Sequence, residues 1–139
     1  MKNTAPNPEE PSLTNGGEWS QWVTVAEAEV VAVINSLPPD VRDRLAELPI
    51  TFEAKPNAAM TAGGIHPDYT VGLFTGVPYP CAIAVSQHLP PQIILFLDNL
   101  RACVRHDPAE FRAQVRRTLL HEIGHFLGLD ETGVGRRGL

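Results

Sequence analysis

The strongest constraint on this chain is a helix whose two ends are both written in the sequence, over residues 107–128. Asp107-Pro108-Ala109-Glu110 is a start signal. Asp107 can cap free backbone amides, Pro108 suits the first helical position, where no N–H is needed, and Glu110 stands in the acid-favouring first turn. Phe111, Val115, Leu119, Ile123 and the pair Phe126/Leu127 then recur every three or four residues and make one apolar face. Gln114, Thr118, His121 and His125 make a second stripe, and Arg112, Arg116 and Arg117 lie mostly off the apolar one, toward solvent. Gly128 suits the left-handed residue that closes a helix. The spacing predicts a helix over 108–127, about 30 Å long, enough to be the spine of a small domain.

That helix carries His121, Glu122 and His125 in the pattern H-E-x-x-H, followed by Gly128, Asp130 and Glu131. Residues four apart on a helix lie one above the other, so the two imidazoles can share one tetrahedral metal, with Zn–N bonds near ~2.0–2.1 Å. Glu122 is rotated by about 100° from His121. It can reach a water on that metal without being a ligand, which is the arrangement of a metal hydrolase: the metal acidifies the water and the carboxylate takes its proton. Zn²⁺ is the expected cofactor, His121 and His125 its expected ligands, and Glu122 the expected catalytic base.

The third ligand is open at this stage. Gly128 allows a sharp turn that brings the chain back toward the metal. Glu131, six residues after His125, is preferred because related motifs place a ligand at that offset. Asp130, with its shorter reach, is the alternative, and an upstream residue is a third possibility. A fourth position left to water would make the site catalytic rather than structural.

Several segments resemble one family. Residues 110–125 look like the active-site helix of the minimal zincin metallopeptidase-like proteins, which are small and bacterial. Gly72-Leu73-Phe74-Thr75-Gly76-Val77-Pro78 resembles that family's G-L-[YF]-x-G-V-P loop, and residues 92–97 its strand before the active-site helix. Residues 34–39 and 49–53 are similar to its first helix end and first strand. The resemblance covers roughly residues 27–131. It implies a single α+β domain, with a short mixed sheet packed on an N-terminal helix and on the C-terminal H-E-x-x-H helix. It also implies zinc on His121 and His125, Glu122 as general base, and an acidic third ligand just past the glycine, which carries over to Glu131 with Asp130 as its neighbour. By the same resemblance, a sheet edge at 83–85 would pair with an extended peptide.

The rest of the chain supports one domain over residues 20–131, with 1–19 disordered and 132–139 a flexible tail. Thr24-Val25-Ala26-Glu27 reads as a capping box, starting an amphipathic helix over 25–36. Pro39 opens a short second helix, and Ile50-Thr51-Phe52-Glu53-Ala54 alternates like a half-buried strand. Residues 55–77, with their glycines and prolines, read as a long ordered loop with one short helical turn, forming one wall of a cleft. His66, Tyr69 and Tyr79 are its candidates for an extra ligand or an oxyanion donor, although a surface position is the default for each. Residues 82–85 read as a strand, 93–97 as a strand buried on both faces, and 98–104 as a helical turn. His88 and His106 are expected at the surface.

Composition narrows the partners. With 139 residues, a net charge of −5 and pI near 5.4, there is no basic field to attract phosphate. No nucleic-acid or membrane partner is expected, and a peptide or protein substrate and a monomer are. No signal-like or spanning apolar run is present, so a cytoplasmic location is expected. Cys81 and Cys103 lack C-x-x-C spacing and read as two reduced, buried thiols. Two function classes follow: a zinc metallopeptidase, or a non-catalytic metal-binding or protein-interaction module on the same scaffold.

Overall fold

The computed structural model describes residues 16–76 and 91–128. The elements run α1 (Gly16–Ser36), α2 (Pro39–Leu45), β1 (Ile50–Glu53), α3 (Ala58–Ala62), β2 (Gly72–Thr75), β3 (Gln92–Phe96), α4 (Leu97–Cys103) and α5 (Pro108–Phe126). This is an α+β domain with a mixed three-stranded sheet in the order β1-β3-β2. The apolar run Ile93-Ile94-Leu95-Phe96 explains why β3 is central, since a strand covered on both faces cannot alternate. β1 pairs with it in parallel, Ile50 opposite Ile93, and β2 pairs antiparallel on its other side, Leu73 opposite Ile94.

α5 packs against β2 and β3, and α1 packs on α5. The predicted apolar face of α5 is the heart of the core: Phe111, Val115, Leu119 and Ile123 have no exposed surface. Burial of each contributes roughly 1.5–3 kcal/mol. Ala26 and Val33 of α1 and Ile93 and Leu95 of β3 belong to the same cluster. The helix starts as its sequence demands, with the Asp107 carboxylate accepting from the amides of Ala109 (2.9 Å) and Glu110 (3.2 Å). It closes one residue earlier than expected, with Leu127 as the C-cap and Gly128 left-handed at φ 76°.

Three expectations change. α1 begins at Gly16, so Thr24 and Glu27 lie inside the helix and form no capping box; residues 16–19, expected to be disordered, are its first turn. The extra turns are anchored from the side. Trp22 meets Phe111 edge to face at 4.6 Å, the Arg101 guanidinium lies 4.8 Å from the Trp22 ring, and Arg101 pairs with Glu18 at 2.7 Å. Residues 55–77 hold the expected helical turn as α3, capped by the Asn57 side chain on the Met60 amide, but they also form the strand β2, where only loop was expected. Cys103 is exposed rather than buried. The expected strand at 82–85, together with Cys81 and His88, lies outside the described residues. Among the described residues no helix is long and apolar enough to cross a membrane.

Candidate metal centre and active site

The register of α5 decides where its polar stripe goes. With Phe111, Val115, Leu119 and Ile123 turned into the core, Thr118, His121, Glu122 and His125 face β2 and the space beside it. The imidazoles of His121 and His125 stand edge to face, their centroids 4.6 Å apart. His121 is half-buried and His125 exposed. Two imidazoles at this separation on one helix face fit a shared metal ion.

β2 comes unusually close to this part of α5. A Cβ added at Gly72 would lie 2.6 Å from the Thr118 Cγ2 methyl and 3.3 Å from the Glu122 Cγ, so only glycine lets the strand backbone rest there. The sheet register sets which amides then face the helix. The Phe96 amide donates to the Val71 carbonyl at 3.0 Å. In an antiparallel ladder the bonded pairs alternate, so residues 71, 73 and 75 are tied to β3, while the amides of 72 and 74 point away from it. The Phe74 amide is in this way available to donate to the Glu122 carboxylate, and does so.

Glu122 is only 8% exposed. Burial raises its carboxyl pKa above the ordinary value, while His125, His121 and the Phe74 amide pull the other way by favouring the charged form. The carboxylate stands between two cavities. One, of about 520 Å³, is bordered by Ile65, Leu73, Phe74 and His125; the other, of about 220 Å³, by Val71, Gln114, Arg117, Thr118 and His121. Glu122 lines both.

Of the residues singled out in the sequence, the structure brings together His121, Glu122 and His125. Asp130 and Glu131 lie outside the described residues, and among the described residues no group of three His, Cys, Asp or Glu side chains could hold a metal. His66 and Tyr69 line neither cavity. Their rings pack together at 4.4 Å, Tyr69 is 79% exposed, and His66 Nδ1 accepts from the Asp68 amide, so both are surface residues of the segment between α3 and β2. Tyr79 lies outside the described residues.

Sequence reading missed three contributors. Gly72 was visible only inside a glycine-rich stretch, where it looks like a turn residue. The Phe74 amide leaves no trace in its side chain. Asn99, buried on α4, donates to the carbonyls of both Pro67 and Thr70 at 2.9 Å and pins the segment that leads into β2.

With the geometry in place, comparisons with known proteins bear on it directly. A search of curated proteins finds no match to this chain. A family model described as zincin-like metallopeptidase matches residues 45–138, well over half of the chain, including β1, β2, β3 and all of α5. The chain therefore belongs to the zincin-like metallopeptidase family.

Proposed function

We propose that the protein is a zinc-dependent peptidase in which His121 and His125 hold the metal and Glu122 is the general base. The observation that carries this reading is the pairing of two adjacent imidazoles on one face of α5 with a buried carboxylate between two cavities. The third ligand is Glu131, with Asp130 as the alternative, both beyond the turn that Gly128 permits. A Zn²⁺ ion held there supplies acidification of a water toward neutral pKa and polarisation of a peptide carbonyl.

The chain's own residues do the rest. A carboxylate whose pKa is raised by burial is a better proton acceptor near neutral pH than a solvated one. Glu122 takes a proton from water in the cleft on its carboxylate oxygen and returns it to the leaving amine. The Phe74 amide fixes the orientation of that carboxylate, and β2, packed at Gly72, fixes the amide. The substrate is a peptide or unfolded protein, cut by a monomer in the cytoplasm.

The test is a metal assay followed by cleavage of unfolded casein with and without chelator. The wild type retains zinc and cuts casein, and chelation stops it. Glu122→Gln keeps the metal and loses about 10²–10⁴-fold in turnover. Turnover that survives this substitution removes Glu122 from the mechanism, and zinc retained by His121→Ala combined with His125→Ala removes the site.

A further inference from the structure

We infer that Arg117, braced by Gln114, forms a subsite for a carboxylate group of the substrate beside Glu122; this rests on the peptidase reading above and names its substrate class.

The charged side chains near α5 have different fates. Arg116 pairs with Glu29 of α1 at 3.8 Å, and Arg101 with Glu18 and Asp98 at 2.7 and 3.5 Å. Arg117 has no carboxylate partner among the described residues. Its Nη2 donates to the Gln114 Oε1 at 3.0 Å, and the Gln114 Nε2 reaches the Thr118 Oγ1 at 3.5 Å. Gln114 thus braces the residues three and four positions after it, and the three side chains form one connected row on the helix. That row borders the cavity of about 220 Å³ that Val71, His121 and Glu122 also line.

A guanidinium carries five donors in a fixed plane and this one spends a single donor within the row. The remaining face suits two-point recognition of a carboxylate, the geometry in which arginine surpasses lysine. Glu122 lines the same cavity, so a substrate anion seated there meets its repulsion, and Arg117 is the charge that offsets it. The larger cavity on the other side of Glu122 is bordered by Ile65, Leu73 and Phe74, and among the described residues no arginine or lysine lines it. A peptide lying across Glu122 therefore meets an apolar surface on one side and a positive one on the other. The class selected is a peptide with an acidic residue, or with its free C-terminal carboxylate, close to the bond that is cut.

The experiment uses the zinc-loaded full chain and a library of blocked peptides. Each position carries Glu in one member and Gln in its partner, and each C-terminus is made both as the free acid and as the amide. The acidic member of one matched pair is cut faster, as kcat/KM, by about tenfold or more. The Glu/Gln pairs and the acid/amide pairs separate a side chain from a chain end as the source of the carboxylate. Arg117→Met brings the pair to parity, Arg117→Lys restores part of the ratio, and Arg117→Glu reverses it toward the uncharged member. Metal content and melting temperature report that each variant is folded. Peptides cut with no preference for the acidic member, or a preference that Arg117→Met leaves intact, overturn the subsite and leave the peptidase reading standing. If no peptide is cut, anisotropy of the labelled pairs gives their affinities. An acidic preference there that Arg117→Met abolishes upholds the subsite while the peptidase reading falls; equal affinities overturn the subsite.

Discussion

Gly72→Ala is the most informative single change, because its effect can be worked from one contact. The new methyl would stand 2.6 Å from the Thr118 Cγ2. Carbon atoms pack at about 3.5–4.0 Å, so about 1 Å must be found. Thr118 can supply little of it by rotating. It is β-branched in a helix, which restricts its χ1, and it is only 6% exposed. Strand β2 must move off α5 instead. Overpacking of this kind costs about 1–3 kcal/mol, and loss of glycine's freedom in the unfolded chain returns about 0.4–1 kcal/mol. The net effect is a destabilisation of about 1–2 kcal/mol, read by urea or thermal melting of the metal-free protein. Thr118→Ser deletes the very methyl in question. In the double variant the two costs should not add, and a coupling of about 1 kcal/mol should appear in the cycle. A Gly72→Ala protein as stable as the parent, or strict additivity with Thr118→Ser, would refute the close-approach argument.

Two further outcomes follow from buried polar groups. Because burial raises the Glu122 pKa, the unfolded chain, with its carboxyl near ~4.3, gives up the proton first. Stability then falls as pH rises from about 4 through the folded pKa. Metal-free Glu122→Gln lacks this loss, so its advantage over the wild type grows from acid toward neutral pH in urea melts; an advantage that shrinks over that range contradicts the assignment. Asn99→Ala removes both bonds to the carbonyls of Pro67 and Thr70. It should cost about 1–3 kcal/mol and speed amide exchange through residues 67–72, and unchanged exchange there would mean that Asn99 does not pin the segment.

How legible the structure was depended on whether a segment's conformation was written in its own side chains. Helix α5 was readable from Asp107 to Gly128 because its cap, its apolar period and its terminating glycine all lie within one stretch, and β3 was readable because a fully covered strand must be apolar throughout. The pairing of His121 with His125 followed from helix geometry alone. β2 was missed because Gly72 serves a contact with Thr118 some 46 residues away, and no local pattern announces a glycine kept for a distant methyl. The first turns of α1 were missed because residues 1–19 are polar with almost no apolar side chains, while the contacts that hold those turns come from Arg101 and Phe111. The role of Arg117 was hidden by its likeness to Arg112 and Arg116, since composition shows three charges and not which one borders a cavity. Tertiary neighbours decided each of these.

The packing of α1 on α5 has a practical corollary for anyone who trims this protein. The family match begins at residue 45, after all of α1. A boundary drawn there would keep every residue of the proposed chemistry and discard the cover over the helix that carries it. Trp22, Ala26 and Val33 would be gone, and the side of α5 around Phe111 would open to water. The shortest piece that looks complete by homology is thus one that leaves the greasy flank of its own catalytic rod bare.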